Sequence, residues 1–329
     1  MKRILPLIYS VVAILCLYGC QKDGIPLDEK KAHDVPGEHL VTTIAGNGNG
    51  FEEDIDGVGK AASFAQPIGI GVTSKNVIYV ACINGNSIRK IVQDSIVNTV
   101  SFSPSSFELY APQELVVATD GTITFTSKTY IQEAGLVVSY KPGSGQAPLV
   151  RGDDVYTGLT VDPQENMIWA CAGQVFSQNF QFFKVEPYKK TVNFVLIPID
   201  KVSPNARFSN IVALRNDVKY VVANGSTLYK YEEGGHLAPT LTNLTFTSIT
   251  SMIATKDSKT IYMVDDYKIK KLDVATGTVE TLAGPNGSGS NEDGVGLAAD
   301  VSAIRIALSA DEKFIYFTNL NYLIRKIAL

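Results

Sequence analysis

Residues 41–72 read VTTIAGNGNGFEEDIDGVGKAASFAQPIGIGV, and residues 76–91 continue with NVIYVACINGNSIRKI. Short apolar runs alternate in this stretch with Gly, Asn and Asp, which is the pattern of β-strands joined by turns. The run at 68–72 is nearly all apolar, whereas the strand at 87–91 alternates. A continuous apolar run predicts a strand buried on both faces, and alternation predicts a strand with one face toward solvent.

The same unit recurs along the chain. A short strand with an apolar or aromatic centre appears at 78–80, 123–125, 168–170, 219–221, 261–263 and 315–317, at spacings of 45, 45, 51, 42 and 54 residues. An apolar run precedes each copy and an alternating strand follows it. Repeats of this length with four short strands are typical of propeller blades. The sequence therefore predicts an all-β fold, a six-bladed β-propeller with four-stranded antiparallel blades.

The last repeat has no fourth strand of its own, because LIRKI at 323–327 is followed only by two residues. The segment VTTIAG at 41–46 closely matches VETLAG at 279–284, which follows the third strand of its repeat as the outermost one. We predict that strand 41–46 joins the last blade and closes the ring. Such closure leaves no strand edge unpaired.

The first residues, MKRILPLIYSVVAILCLYG, carry two cations and an apolar run that is short for a membrane span, as in an export signal. The stretch LYGC at 17–20 resembles a bacterial lipobox, which implies cleavage before Cys20 and lipidation of its thiol. QKDG at 21–24 is similar to a tag on lipoproteins of the outer cell face. An ordinary cleaved signal with an incidental cysteine is the alternative.

From these features we expect a signal peptide at 1–19, a flexible stalk at 20–39 and the propeller at 40–329. The stalk is charged and contains Pro26 and Pro36, which favours an extended linker. The expected location is the outer membrane at the cell surface. The lipid on Cys20 is then the only predicted contact with the membrane.

Composition excludes several function classes. Loss of Lys2 and Arg3 with the signal leaves 27 basic and 33 acidic side chains, a net charge of −6, which argues against a nucleic-acid partner. The three histidines, at 33, 39 and 236, fall in the stalk or in a turn on the face opposite the long loops. A Ser–His–Asp or zinc site on the loop face therefore has no histidine. Cys82 and Cys171 each follow an apolar strand and are expected to be buried free thiols.

The first repeat resembles an NHL repeat, in which a strand ending in AG precedes a DGxG loop, a Phe, a Pro, and the strands YVAD and RIRKI. The matching residues are Asp56, Gly57, Gly59, Phe64, Pro67, Tyr79 and Arg89. The last repeat is similar, with DGVG at 293–296 and LIRKI at 323–327. Cys82 stands where the family has Asp, so a role of that Asp does not carry over. The resemblance implies an NHL-type six-bladed propeller lipoprotein.

Strand parity places the long loops between blades and the second-to-third turns on one face, called here the loop face. Loops on a rigid ring are a common place for binding sites. The aromatic residues of these loops are Phe51, Tyr110, Tyr130, Phe176, Phe208, Phe246, Tyr267 and Tyr322. From this face we select as candidate ligand-binding residues Tyr110, Tyr130, Phe176, Tyr267, Tyr322 and Arg151. The alternative is that the aromatic rings cover the cores of the blades.

A metal site is the competing interpretation. Six-bladed enzymes of the gluconolactonase kind hold a divalent cation at the tunnel mouth with carboxylate and amide oxygens, ligands that Ca²⁺ accepts. In this chain Asp153, Asp265, Asn84 and Asn319 could serve as such ligands, although no spacing selects them. EEDIDG at 52–57 has the early spacing of a calcium loop, but Ser63 stands at the twelfth position, where Glu is expected. A structural loop is therefore favoured there.

Two function classes follow. The first, which we favour, is a non-catalytic cell-envelope lipoprotein without a cofactor, which binds a glycan, peptide or protein partner through the loop face. The second is a Ca²⁺-dependent hydrolase or lactonase. The fold alone does not separate them. Convergence of three or four carboxylate and amide groups from different blades at the loop-face end of the tunnel would favour the enzyme.

Overall fold

The structure is a computed structural model. It describes residues 38–49, 53–102, 109–128, 135–142, 145–152, 155–164, 167–174, 181–185, 192–196, 206–232, 236–239, 244–285 and 291–329. Within these ranges the regular structure consists of 26 β-strands and two single-turn 3-10 segments, at Gly59–Ala61 and Gly296–Ala298. No helix in these ranges is long and apolar enough to cross a membrane.

The strands form six sheets, numbered here in the order of their inner strands. Strand β1 is Leu40–Ala45. The first sheet contains β2 (Gly57–Val58), β3 (Pro67–Val72), β4 (Ile78–Cys82), β5 (Ser87–Val92) and β6 (Ile96–Thr99). The second sheet contains β7 (Leu115–Val117), β8 (Ile123–Lys128), β9 (Gly135–Lys141) and β10 (Gly145–Gly152). The third sheet contains β11 (Val155–Val161), β12 (Ile168–Gln174), β13 (Gln181–Val185) and β14 (Val192–Leu196).

The remaining sheets follow the same antiparallel order. The fourth contains β15 (Phe208–Ala213), β16 (Lys219–Ala223), β17 (Thr227–Glu232) and β18 (His236–Pro239). The fifth contains β19 (Ile249–Ala254), β20 (Thr260–Asp265), β21 (Lys268–Asp273) and β22 (Val279–Ala283). The sixth contains β23 (Gly294–Val295), β24 (Ala303–Leu308), β25 (Phe314–Asn319), β26 (Ile324–Ala328) and, from the start of the chain, β1.

The inner strands form a closed ring. Strands β3, β7, β11, β15, β19 and β24 contact one another in that order, and β24 contacts β3 in turn. The main clusters of buried apolar side chains lie between neighbouring sheets: first and second, third and fourth, fourth and fifth, fifth and sixth, and sixth and first. Apolar side chains are thus buried at five boundaries between neighbouring sheets, and the predicted all-β propeller is confirmed.

The prediction of four strands in every blade was wrong for two of the sheets. The first and sixth sheets each carry a fifth, two-residue strand at the outer edge. Strand β2 pairs with β6, and β23 pairs with β1. Both belong to a DGVG loop, whose second residue lies so close to the following turn that a Cβ on Gly57 would sit 3.0 Å from the carbonyl carbon of Ala61. The loop therefore folds flat against the sheet and adds a strand.

The predicted closure by the first strand is confirmed. Strand β1 runs antiparallel to β26, with Val41 opposite Ile327 and Thr43 opposite Arg325. Val41 is fully buried in the cluster between the fifth and sixth sheets. The two ends of the described propeller therefore hold each other, and β26 has no open edge.

A buried arginine ties the DGVG loop to this closure. The side chain of Arg325 is fully buried, and its NH2 donates to Asp293 Oδ1 at 2.9 Å and to the carbonyl of Glu292. Its NH1 donates to the carbonyl of Asp300. Asp293 also accepts hydrogen bonds from the Thr43 amide (3.1 Å) and hydroxyl (3.0 Å). One carboxylate thus connects β1, β26 and the loop before β24.

Threonine side chains join neighbouring sheets. Thr318 donates to the carbonyl of Ile68 across the boundary between the sixth and first sheets. Thr250 donates to Ile304, and Thr157 donates to Phe208, across two other boundaries. These carbonyls lie on inner edges that no strand covers, so a hydroxyl from the adjacent sheet supplies the hydrogen bond that each needs.

We expect Asp293→Asn to destabilise the protein in a pH-dependent way. Burial acts to raise the pKa of Asp293, but hydrogen bonds from Thr43 and Arg325 outweigh it and hold that pKa below its usual value of 3.8. The folded state therefore gains stability above pH 3.8, and loses it as pH falls through the lower folded-state pKa. At pH 6 the substitution should lower the free energy of unfolding by about 1 kcal/mol. The effect is no larger because Asp293 is partly exposed and solvent screens its ion pair with Arg325.

Urea unfolding of both proteins at pH 6 and at pH 3 would measure this. The difference between wild type and variant should shrink at the lower pH. Glu280→Gln on β22 of the fifth sheet removes an exposed carboxylate that is not bonded to Arg325 or Thr43 and serves as the control. A difference for Asp293→Asn that is no larger than the control, or that grows toward pH 3, would contradict the role of this carboxylate.

Candidate functional site

A cavity of about 200 Å³ lies on the axis of the ring. Residues from all six inner strands or their ends line it. Most are aliphatic, and no aromatic side chain of the described residues is among them. Its size is below the roughly 300–1,000 Å³ of pockets that hold drug-sized ligands.

One layer of this tunnel is polar. In four sheets, a Tyr or Trp of the second strand lies opposite a residue of the inner strand, and the residue two positions earlier on the inner strand belongs to this layer. These residues pair with the second strand as follows: Gly158 with Cys171, Asn210 with Val222, Ser251 with Val264 and Arg305 with Thr318. Extension of the β3 and β7 registers gives Gly69 and Glu114 the same position. The layer therefore contains Gly69, Glu114, Gly158, Asn210, Ser251 and Arg305, called here the polar layer.

An ion pair crosses the tunnel within the polar layer. Arg305 on the sixth sheet donates to Glu114 Oε1 from Nε at 2.8 Å and from NH2 at 2.5 Å. Glu114 precedes β7 of the second sheet, so the pair spans the first sheet that lies between them. Both side chains are mostly buried, with exposed fractions of 18% and 11%. The contact therefore links two sheets that are not neighbours.

Glycine on β3 makes room for this arrangement. A Cβ on Gly69 would lie 2.0 Å from the carbonyl oxygen of Gln113, and a Cβ on Gly71 would lie 2.6 Å from the Leu115 side chain. The contact at Gly69 is with backbone and excludes any other residue, whereas a Cβ on Gly71 would require the side chains of Leu115 and Val117 to shift. The first sheet therefore approaches the second closely, and Glu114 can reach past β3 to Arg305.

The cavity lies on one side of the polar layer. Its walls are the later parts of the inner strands, such as Val72, Val117, Val161 and Leu308. Residues that begin the inner strands on the loop face, such as Pro67, are not among the described residues that line it. Lys256, which is exposed in the turn after β19, marks the end away from the loop face. Glu114 and Arg305 thus form the floor of a cavity that faces away from the long loops.

Tyr267 is the most exposed of the candidate ligand-binding residues that are described, with 43% of its surface accessible. It lies with Asp266 in the two-residue turn between β20 and β21, and both have a positive φ, 52° for Asp266 and 63° for Tyr267. Such a turn suits the twist of a hairpin but normally takes Asn, Asp or Gly. A bulky residue in this conformation is an outlier that raises a hypothesis of function.

A second exposed apolar residue lies beside it. The carbonyl of Tyr267 accepts from the Ala303 amide, and the amide of Leu320 donates to the carbonyl of the adjacent Ser302. Leu320 is 45% exposed, and Tyr322, two residues on, is half-buried with a φ of 61°. Tyr267, Leu320 and Tyr322 are called here the loop-face patch. Sequence analysis named the two tyrosines but missed Leu320.

The other candidate residues on the loop face have different outcomes. Tyr110 is half-buried, and its carbonyl accepts hydrogen bonds from the Ser127 hydroxyl and the Lys128 amide. Tyr130, Phe176 and Asp153 lie outside the described residues, as does Cys20. Arg151 is described only as a backbone position in β10. Of the other aromatic residues predicted on the loop face, Phe208 is buried against Phe182, and Phe246 packs on the cluster between the fourth and fifth sheets.

The described residues proposed as metal ligands make internal contacts. Asp265 is buried, accepts from Lys270 Nζ at 2.6 Å, and accepts from the amides of Thr247 and Ser248. Asn319 is buried and donates to Asn291 at 2.9 Å. Asn84 is exposed in the turn after β4. Within the described ranges no group of three His, Cys, Asp or Glu residues is placed to hold a metal.

The described part of the acidic EEDIDG segment, residues 53–57, forms a structural loop, and Glu52 lies outside the described residues. Arg89, which is fully buried, donates to Asp54 at 2.8 Å and to Asp56 at 2.7 Å. Asp54 also accepts from the Ser87 hydroxyl at 2.5 Å and from an amide of the following strand segment. A Cβ on Gly85 would lie 1.8 Å from Asp54, so glycine is required there. These carboxylates are neutralised by an arginine, in the same way as Asp293 by Arg325.

Cys82 and Cys171 are buried free thiols, as predicted. Burial raises the pKa of Cys171 to about 12. Burial, with the nearby Asp54 carboxylate, raises the pKa of Cys82 well above its usual value. A thiolate is the reactive form, so neither side chain suits a nucleophilic role in the folded protein.

We expect both thiols to resist alkylation in the native state. In a chain that begins at Gln21, iodoacetamide at pH 8 should label Cys82 and Cys171 only as fast as the protein unfolds, and at once in denaturant. Asn98→Cys places a thiol on the exposed part of β6 and supplies the control for reagent activity. Rapid labelling of either native cysteine under native conditions, counted by mass spectrometry, would show that its surroundings open.

Comparison with known proteins gives the fold alone. No family model matches the chain, and no curated protein sequence matches it. A Bacteroides thetaiotaomicron protein of unknown function has a TM-score of 0.68 at 20% identity, over 88% of this chain and 76% of the other. An auxiliary nutrient binding protein from the same organism has a TM-score of 0.65 at 15% identity, over 88% and 76%.

Enzymes share the fold as well. Virginiamycin B lyase from Staphylococcus aureus has a TM-score of 0.55 at 14% identity, over 80% of this chain and 95% of the lyase. A second lyase structure is that of a catalytically inactive histidine-to-alanine variant with quinupristin. At such identities these likenesses support an all-β propeller and do not transfer a function.

Proposed function

We propose that this protein is a non-catalytic binding protein of the cell envelope, built as an NHL-type propeller whose six sheets are its six blades. The six sheets, the closed ring of inner strands and the two arginine-bound DGVG loops support this assignment. The proposed partner is a glycan, peptide or protein, bound at the loop face. The likeness to an auxiliary nutrient binding protein agrees with a ligand-binding role.

The observation that carries the proposal is the loop-face patch. Tyr267 and Leu320 expose apolar surface on neighbouring turns, and Tyr267 does so from a left-handed backbone conformation. That conformation has an energetic cost for a bulky side chain, commonly about 1 kcal/mol or more. An exposed aromatic ring on a fixed turn is suited to stack on a sugar ring or to pack against a peptide.

The described polar groups give catalysis little support. Asp54, Asp56 and Asp293 bind buried arginines, and Asp265 binds Lys270. The lyase loses activity in its histidine-to-alanine variant. In the described part of this chain the histidines are His39, just before β1, and His236, which begins β18. Both lie at outer strands, far along the sheet from the tunnel.

Glycan and peptide arrays probed with the purified protein would test the proposal. Tyr267→Ala should reduce binding of the selected ligand by about tenfold, because an aromatic contact at a site centre is worth about 1–3 kcal/mol. Val58→Ala removes exposed apolar surface from the edge strand β2 and is the matched control. Unchanged binding by Tyr267→Ala would exclude the patch as the contact surface.

One further measurement distinguishes the proposed binding protein from a metal-dependent hydrolase. A melting curve with Ca²⁺ and with a chelator should be the same if no cation is held. A clear stabilisation by Ca²⁺, with metal retained after dialysis, would favour the hydrolase over the binding protein.

The envelope location rests on Cys20 and is tested by its replacement. In a bacterial host that processes lipoproteins, the wild-type chain should be recovered in the membrane fraction and take up labelled palmitate. Cys20→Ser should lose the label, because it removes the thiol that carries the lipid, and its share in the membrane fraction should fall. Ser95→Ala, a serine-to-alanine change in a turn of the first sheet, should leave both properties unchanged. Palmitate on the Cys20→Ser chain would contradict the assignment.

A further inference from the structure

The axial cavity is separate from the loop-face patch, and its floor contains both signs of charge. Arg305 directs Nε and NH2 to one oxygen of Glu114, Oε1, and its NH1 to the carbonyl of Ile304. No described residue hydrogen-bonds to the other oxygen, Oε2. Hydrogens on NH1 and NH2 remain available as well, because each of these atoms carries two. The pair can therefore accept and donate further hydrogen bonds at the same time.

The rest of the polar layer adds an acceptor. Asn210 uses its amide nitrogen for the carbonyl of Ile249, at 3.4 Å, and no described residue donates to its Oδ1. Ser251 accepts from the amide of Ile306 at 3.1 Å, and its hydroxyl hydrogen can still donate. Gly69 and Gly158 fill the two remaining positions of the layer without side chains. The floor thus offers one cation and two acceptors, with open space at the two glycine positions.

Charge balance restricts what this floor can bind. A ligand with a single negative charge would bind Arg305 but bring that charge beside Glu114, and a cation would have the opposite problem with Arg305. Desolvation of an uncompensated charge costs several kcal/mol, so neither is well accommodated. A head group with both charges leaves the site neutral and satisfies both residues.

The walls define the rest of the ligand. Between the polar layer and Lys256 they are aliphatic, with Val72, Val117, Val161 and Leu308 among them. No aromatic side chain of the described lining is present to stack on a sugar ring. The volume of about 200 Å³ admits a small molecule.

We propose that the axial cavity binds a free α-amino acid with an aliphatic side chain, as the zwitterion. Its carboxylate contacts the guanidinium of Arg305, and its ammonium contacts Glu114 Oε2 and Asn210 Oδ1. The aliphatic side chain points along the apolar walls toward Lys256. The ligand enters from the face opposite the long loops, so this site does not depend on the loop-face patch.

Isothermal titration of the purified full chain with L-leucine tests the proposal, with N-acetyl-L-leucine and L-leucinamide as probes that each lack one charge. Leucine should bind, and both probes should bind at least about tenfold more weakly, because each loses one charge-assisted contact. Equal affinity for leucine and either probe would overturn the zwitterion assignment. Absence of binding at millimolar leucine would overturn the site.

Variants locate the binding. Glu114→Gln should weaken leucine binding by about tenfold or more, and Asp120→Asn, which removes a carboxylate from an exposed pair with Lys141 in the same sheet, should leave it unchanged. Glu114→Gln leaves Arg305 with a neutral partner and carries a risk of misfolding. Ala254→Phe avoids this, because it narrows the cavity near Lys256 and leaves the ion pair intact.

Ala254→Phe should abolish leucine binding with a melting temperature close to that of wild type. Retained affinity in a folded Ala254→Phe protein would show that leucine binds elsewhere and would overturn the proposal. These outcomes are distinct from failure of the proposed function, which is measured by array binding and by Tyr267→Ala.

Discussion

The pairing of β1 with β26 is the constraint on which the rest of the structure depends. Neighbouring sheets bury apolar side chains against each other at five boundaries, so the packing of each blade depends on the ring around it. The sixth sheet obtains its outer strand from a segment more than 270 residues away along the chain. Arg325 and Asp293 reinforce this junction by tying β1 to the loop that leads into β24. Closure therefore fixes the inner strands, the axial cavity and the turns of the loop face.

Charged side chains in this fold serve structure first. Arg89 and Arg325 have fully buried side chains, and each holds the acidic residue of a DGVG loop. A buried guanidinium is costly unless it is paired, and here two or three oxygens receive it. In the loop with early calcium-loop spacing, Asp54 and Asp56 are thus paired with Arg89. The Glu114–Arg305 pair differs, because it lies on the axis and keeps one carboxylate oxygen unused by the described protein.

Sequence periodicity was sufficient for the strands, the sheets and the closure, because each depends on local apolar pattern and on the match between 41–46 and 279–284. The extra strands β2 and β23 were not predicted, since two residues carry no periodicity. The axial ion pair was also missed, although a signal was present. Glu114 and Arg305 each lie in a run predicted to be buried on both faces, ELVVA at 114–118 and IRIAL at 304–308. Two opposite charges in equivalent buried positions of different repeats indicate a pair across the axis.

The polar layer also affects whether a solute can pass along the axis of the ring. Many circular proteins have an open axis along which ions or water can pass from one side to the other. Here the Arg305–Glu114 ion pair crosses the axis, so a solute that enters beside Lys256 meets this pair before it reaches the long loops. The two ends of the axis therefore present different residues to a ligand, and each can evolve its own specificity.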